Sequence, residues 1–142
     1  MIPLSDPLMR NYVFYATACI SKVFAMAFYT AIMRGKTGVM ASSEDYPKGK
    51  QTGKVSEEVE RVRRNHLNDL ENVIPFVILG FFYVLTNPDP TTALWHFRVF
   101  FFSRVVHTIS YQMALQPFRG IGFMVGLATS LSVIFQIFKA VL

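Results

Sequence analysis

The sequence predicts an all-α membrane protein, a bundle of four transmembrane helices that forms one domain over residues 1–142. Hydrophobic residues make up 52% of the chain and its mean hydropathy is +0.35, well above the values of an ordinary soluble domain. Long apolar segments alternate with shorter polar ones. Most of the charges lie between Arg34 and Glu71 instead of being spread along the chain. These three observations favour a membrane protein with one charged loop.

The net charge of +5 does not indicate a nucleic-acid partner. Nucleic-acid binding would need a solvated basic face, and the residues outside the charged region are too apolar to form one. The chain has one cysteine, Cys19, inside an apolar segment, and it has neither an HExxH nor a CxxC motif. We therefore expect no metal site and treat Cys19 as a small buried apolar residue.

The first predicted helix covers residues 11–33 and is longer than the roughly 20 residues needed to cross a bilayer. Lys22 lies near its middle, where the side chain either extends to the membrane surface or pairs with an acid on the second helix. Residues 34–54 form a loop rich in Gly, Ser and Lys. The positive-inside rule places this loop in the cytosol and both termini on the opposite side.

The second helix is predicted over residues 55–85, although only its last part, residues 72–85, is apolar. That part is too short to cross the hydrocarbon core, which needs roughly 20 residues. The helix must therefore continue back through the charged segment and extend into the cytosol. Pro75 lies inside it, which a bundle tolerates when neighbouring groups satisfy the freed carbonyl.

Two further helices are predicted over residues 91–115 and 118–141. Residues 86–92, TNPDPTT, contain two prolines and form a tight turn before the third helix. Helices joined by such short connections pack as antiparallel neighbours. The predicted architecture is therefore an antiparallel four-helix bundle within the membrane.

Polar side chains form one stripe on the second helix and another on the third. At about 100° per residue, the polar residues of the second helix fall within an arc of roughly 80°. They are Glu57, Arg61, Arg64, Asn68 and Glu71. On the third helix, Arg104, His107 and Tyr111 fall within an arc of about 60°. A lipid-facing charge is disfavoured by about 2.5–3.5 kcal/mol, so these side chains should face protein or a water-filled cavity.

The two stripes have two explanations. In the first, Arg64 pairs with Glu71 and Arg104 pairs with Asp69, and the pairs only hold the bundle together. In the second, the stripes bind an anionic ligand, because the cations outnumber the carboxylates and Arg suits two-point contacts with a carboxylate. The surplus of cations favours a small zwitterion with more carboxylates than amines. The residues alone do not name it.

Two long motifs resemble those of the MAPEG family, the membrane-associated proteins of eicosanoid and glutathione metabolism. They are ERVRRNHLNDLENVIPF at residues 60–76 and HFRVFFFSRVVHTISY at residues 96–111, and the turn NPDP at residues 87–90 also matches. The resemblance is strongest over residues 57–123. It implies a homotrimer in the endoplasmic reticulum membrane, with the mitochondrial outer membrane as a second location. It also implies glutathione as co-substrate, bound between adjacent subunits on the cytosolic side.

The resemblance also implies roles for individual residues. The glutathione-binding residues would be Arg34, Arg64, His66, Asn68, Glu71, Arg104, His107 and Tyr111. Of these, Arg34 would come from the neighbouring subunit, and His66 and Arg104 would lie further from the ligand or contact its carboxylates. Arg119 resembles the catalytic arginine that holds the glutathione sulfur as a thiolate. The thiolate would attack a hydrophobic electrophile or a lipid hydroperoxide that arrives through the membrane lipid.

Three functions are compatible with the family. Leu67 and Phe123 follow the glutathione transferases rather than the glutathione-dependent prostaglandin isomerases, and Gly120 also departs from the isomerase pattern. A non-catalytic lipid-binding scaffold is the third option, but it would not need Arg119 or a thiolate site. The sequence therefore predicts a membrane glutathione transferase that also reduces lipid hydroperoxides in a peroxidase reaction.

Each site residue also has a structural explanation. Arg119 would be a positively charged flank of the fourth helix, and Tyr111 would belong to the aromatic belt at the membrane interface. His107 would be a hydrogen-bonded core histidine. For these three residues the resemblance favours ligand contact or catalysis. For His96 and Arg98, which lie toward the opposite end of the third helix, we expect structural roles.

Overall fold

A computed structural model describes residues 4–47 and 55–142, and these residues form four α-helices and one short 3-10 helix. The α-helices are α1 (Pro7–Thr37), α2 (Glu57–Leu85), α3 (Pro90–Gln112) and α4 (Phe118–Val141), and the 3-10 helix is Ser43–Asp45. The prediction of an all-α fold with four helices is confirmed. Residues 48–54 of the predicted loop lie outside the described residues.

Helix α1 is longer at both ends than the predicted residues 11–33. The Asp6 side chain accepts a hydrogen bond from the backbone N–H of Leu8 at 2.7 Å, so the helix begins at Pro7. It ends at Gly38, which adopts a left-handed conformation (φ 68°). The prediction followed the apolar segment, whereas the capping residues set the helix ends.

Helix α3 is shorter at its C-terminal end than the predicted residues 91–115. Met113 caps it, and the next residue, Ala114, has a positive φ of 57°, which an α-helix cannot continue. Its N-terminus is capped by Asp89, whose carboxylate accepts from the Thr92 N–H at 2.7 Å. This hydrogen bond holds the pKa of the Asp89 carboxyl below its usual range.

Helices α1, α2 and α4 are each long and apolar enough to cross a membrane. Helix α3 is not among them, because two arginines and two histidines lower its mean hydropathy. The prediction of four hydrophobic spans is therefore confirmed for three helices of the described chain. Of these polar residues, Arg104 contacts Asn68 and Asp69 of α2, whereas Arg98 contacts Tyr15 of α1.

The helices pack as two pairs, α1 on α2 and α3 on α4, and α1 also contacts α3. Within the described residues, α1 and α4 do not contact each other. All four helices contribute residues to the apolar core, in which the rings of Phe76 of α2 and Phe100 of α3 stack with centroids 3.5 Å apart. Cys19 is buried within this core, as predicted.

Helices α3 and α4 approach each other closely because two glycines of α4 face α3. A Cβ atom on Gly122 would lie 2.9 Å from the backbone N of His107. A Cβ atom on Gly126 would lie 3.0 Å from the Ser103 hydroxyl. Small residues at this spacing allow helix backbones to pack tightly in a membrane. The contact brings the first turns of α4 against the polar part of α3.

Candidate functional site

A buried ion network joins α1, α2 and α3. Asp69 is fully buried, and its carboxylate contacts Lys22 Nζ at 2.5 Å and Arg104 Nη2 at 3.0 Å. The pair between Arg104 and Asp69 was one of the two structural pairs considered from the sequence, and it is present. Of the two options for Lys22, the structure has the pair with an acid of the second helix. The network carries two cations and one carboxylate, so one positive charge remains.

Arg104 also contacts two residues that the resemblance assigns to glutathione binding. Its Nη2 donates to Asn68 Oδ1 at 2.6 Å and lies 3.2 Å from His107 Nδ1. The two N–H groups of Nη2 are shared among Asn68, Asp69 and His107, and a guanidinium has no acceptor, so a hydrogen bond to His107 requires Nδ1 to accept and assigns the ring proton of neutral His107 to Nε2. Arg104 therefore orients both side chains and leaves an N–H of His107 for another partner.

At the C-terminal end of α3, Arg119 comes close to two other predicted site residues. Its Cζ atom lies 5.0 Å from the centre of the Tyr111 ring, and that ring lies 5.6 Å from the ring of His107. The Gln116 amide, oriented with its oxygen toward the guanidinium, accepts from Arg119 Nη2 at 2.7 Å. The structure thus places Arg119, Tyr111 and His107 in one continuous group.

On α2, Arg64 pairs with Glu57 at 2.6 Å, so the pair between Arg64 and Glu71, which the structural explanation of the stripes had included, is not formed. Both acids are two turns away, but Cα–Cβ bonds in a helix point toward its N-terminus, so the long Arg64 side chain reaches back to Glu57. Glu71 is exposed and has no salt bridge to any described residue. Arg64 is also exposed, so in a single chain these charges face outward rather than into the bundle.

His66 and Arg34 are not joined to this group. His66 is half-buried and makes no side-chain hydrogen bond within residues 4–47 and 55–142. Arg34 lines a polar pocket of about 330 Å³ together with Glu60 and Arg63. No other predicted site residue lines that pocket. One chain therefore does not bring Arg34 to Arg119 and Tyr111.

Sequence reasoning left Asn65 out of the site and considered Asp69 only as a structural partner of Arg104. The predicted stripe of α2 contains Arg64 and Asn68, but Asp69, the next residue, points toward α1 and α3 and anchors the network. Asn65 is also fully buried, and neither polar atom of its side chain has a partner in the described part of the chain. The spacing in the sequence could have identified both residues, since Asn65 and Asp69 share a helix face with the buried Val62 and Val73.

The arrangement can bind an anion through groups of α2, α3 and α4. Arg64 and Arg119 supply positive charge, the Asn68 amide and the His107 Nε2 supply neutral polar contacts, and Glu71 supplies an acceptor for an ammonium group. The buried network behind them holds Asn68 and His107 in place. These features define a class of helical membrane proteins with a cationic site at one end of the bundle.

The chain belongs to the MAPEG family, whose model matches residues 12–139. It is 42% identical to microsomal glutathione S-transferase 1 from Homo sapiens, over 96% of this chain and 93% of that protein. It is 44% identical to the protein of that name from Sus scrofa, over 94% of each chain. Prostaglandin E synthase from Macaca fascicularis is 34% identical over 84% of this chain and 81% of that protein. The family predicted from the motifs is confirmed.

Proposed function

We propose that the protein is a membrane glutathione transferase that activates glutathione as a thiolate. The observation that carries this proposal is the position of Arg119, whose Cζ lies 5.0 Å from the Tyr111 ring and next to the group oriented by Arg104. The relatives named microsomal glutathione S-transferase 1, aligned over almost the whole chain, give it further support.

Glutathione has two carboxylates and one ammonium group, which suits the charges of the site. Arg64 would bind a carboxylate, and Glu71 would bind the ammonium group. Asn68, His107 Nε2 and the Tyr111 hydroxyl would complete the polar contacts. His66 and Arg104 would act from further away. Arg104 has support for this role, since it is fully buried and contacts Asn68 and His107 rather than open space.

Arg119 would stabilise the reactive form of the co-substrate. An unperturbed thiol has a pKa of about 8.5, so only a few per cent is ionised near pH 7. A guanidinium beside the sulfur favours the anion, and a shift of one pKa unit is worth about 1.36 kcal/mol. The thiolate would then attack an electrophilic carbon, or a peroxide oxygen in a peroxidase reaction. Apolar substrates would reach it through the lipid.

We extend the proposal to the assembly and its location. Arg34 lies away from Arg119 in one chain, which supports a site completed by Arg34 of an adjacent subunit in a homotrimer. The second helix would extend into the cytosol, because its first turn carries the acids Glu57 and Glu58, which are exposed, and Glu60, which is half-buried. The microsomal names of the relatives support an internal membrane such as the endoplasmic reticulum.

The second candidate is a glutathione-dependent prostaglandin E synthase, supported by relatives of that name at 34–35% identity. Leu67, Gly120 and Phe123 favour the transferase. Turnover of prostaglandin H to prostaglandin E at a rate above that of electrophile conjugation would reverse the order of the two candidates. A lipid-binding scaffold without catalysis is the third candidate.

The experiment measures the ultraviolet absorbance of the thiolate when glutathione is added to the purified protein in detergent. Wild type should give the thiolate signal, and Arg119→Ala should lose it while the protein stays folded. Arg63→Ala is the matched control, because Arg63 is an α2 arginine whose salt bridge within the described part of the chain is with Glu60 alone. Arg119→Lys should keep part of the signal, since it retains the charge. A wild type without thiolate signal at saturating glutathione would leave the scaffold as the better account.

A further inference from the structure

An apolar groove of about 720 Å³ runs along the outside of α3, between α4 and the start of α1. Its volume lies within the range of about 300–1,000 Å³ that is typical of small-molecule sites. The groove contains neither Arg119 nor any residue assigned to glutathione binding. Trp95, Phe102, Val106 and Ile121 line it, and each is about half exposed. In a membrane these side chains would face lipid tails.

Among the residues that the structure describes, Arg98 is the one charged residue that lines this groove. Its Nε donates to the Tyr15 hydroxyl at 3.1 Å, and its Cζ lies 5.7 Å from the centre of the Trp95 ring. No carboxylate among residues 4–47 and 55–142 forms a salt bridge with it. The two Nη groups have no hydrogen-bond partner in the described chain. The groove therefore presents an oriented guanidinium, neutralised by no acid, to an apolar channel.

We propose that this groove is a binding site for a long-chain fatty acid, with the carboxylate on Arg98. A carboxylate accepts two parallel hydrogen bonds from a guanidinium, which is what the free Nη groups of Arg98 can donate. A single acyl chain suits an apolar channel that is open along its length to the bilayer. The charge of Arg98 thus selects an acid over a neutral lipid.

The direction of the bound chain follows from the position of Arg98 in the groove. The lining residues of α3 continue from Arg98 to Val106, a distance of about 12 Å at a rise of 1.5 Å per residue. At that end, Ile121 and Gly122 of α4 complete the lining. The acyl chain would run from Arg98 toward these residues. Arg98 itself lies about 12 Å along the helix from Pro90, the first residue of α3.

The single tryptophan of the chain makes the proposal measurable, because Trp95 lies beneath Arg98 in the same groove. Full-length protein in nanodiscs of zwitterionic lipid would be titrated with stearic acid that carries bromine, which quenches tryptophan at short range. Bromine near the carboxylate should quench more strongly than bromine near the methyl end. The methyl ester of the same brominated acid should quench less, because it partitions into the bilayer but has no carboxylate for Arg98.

Variants separate charge from packing. Arg98→Gln should weaken the binding of the brominated acid on the order of tenfold, to the level of the ester, since one charge-assisted contact is lost. Arg98→Lys should retain part of the difference between acid and ester. Val125→Phe should block the groove without changing its charge, and Arg10→Gln, an arginine outside the groove, should behave as wild type.

Equal quenching by acid and ester in the wild type would overturn the proposal, as would an Arg98→Gln variant that keeps the difference. Stronger Arg98-dependent quenching by a brominated anionic phospholipid than by the acid would assign the site to a phospholipid instead. Binding is the only readout, so the result does not depend on transferase activity or on the thiolate measurement.

Discussion

At the scale of the residue, Asp69 of α2 connects three helices, because it pairs with one cation of α1 and one of α3. It is fully buried between Lys22 of α1 and Arg104 of α3, and Arg104 in turn contacts Asn68 and His107. A buried ion pair adds little net stability over apolar packing, but the loss of one partner leaves an uncompensated charge. The role of Asp69 is therefore to hold two cations in the bundle and, through Arg104, to orient residues of the candidate site.

We predict that Asp69→Asn destabilises the protein by about 3–5 kcal/mol, because two buried cations would lose their counter-charge. Chemical denaturation in detergent, followed by circular dichroism, measures this change. Glu60→Gln is the control. It breaks the partly exposed pair with Arg63, for which about 0–1 kcal/mol is expected. An equal loss of stability in the two variants would mean that the buried network contributes no more to stability than a partly exposed ion pair.

At the scale of the element, the contact between α3 and α4 depends on glycine. Gly122 faces the backbone of His107, and backbone atoms cannot move aside as a flexible side chain can. The close approach also sets the start of α4, and therefore Arg119, against the C-terminal half of α3. Packing of these two helices is thus linked to the geometry of the candidate site.

We predict that Gly122→Ala costs about 1–3 kcal/mol, the usual range for overpacking, and lowers the affinity for glutathione. Gly120→Ala is the matched control, since nothing lies within 4 Å of a Cβ atom there. That change should be neutral or stabilise α4 by about 0.5–1 kcal/mol, because alanine is the better helix former. Thermal unfolding and glutathione titration of both variants measure the contrast. A Gly122→Ala protein as stable as Gly120→Ala would contradict the close packing.

At the scale of the whole molecule, one chain leaves part of the candidate site open. Arg64 and Glu71 are exposed, and Arg34 lines a separate pocket with Glu60 and Arg63. In a membrane bundle, exposed charges of this kind are expected to meet protein or water rather than lipid. We therefore expect an assembly in which a second copy covers this face of α2 and brings its own Arg34.

Mixed oligomers test this expectation. Arg34→Ala and Arg119→Ala should each lose the thiolate signal at a glutathione concentration that just saturates wild type. When the two variants are co-expressed in equal amounts, about a quarter of the sites should be restored. Each site needs Arg34 from one subunit and Arg119 from another, and in a randomly assembled symmetric oligomer each of these residues is intact with a probability of about one half. If Arg34 acts within its own chain, no subunit has both residues and no signal returns. Native mass spectrometry of the mixture measures the subunit number and mixing.

Much of the fold could be predicted because it depends on local properties of the chain. Hydropathy and short turns located four helices, and the motifs around Arg64 and Arg104 located the polar part of the bundle. The ends of α1 were missed because they depend on Asp6 and Gly38, single capping residues outside the apolar segment. The end of α3 was missed because no residue type in the sequence marked the positive φ of Ala114.

The sequence by itself determined the class of protein, the number of helices and the inventory of charges that a glutathione site needs. Only the tertiary structure decided which charges meet. It paired Lys22 with Asp69, joined Arg104 to His107, directed Arg64 to Glu57 and kept Arg34 apart from Arg119. The reason is physical: helical periodicity fixes which residues share a face, but the partner of each face depends on how the helices rotate and pack against one another.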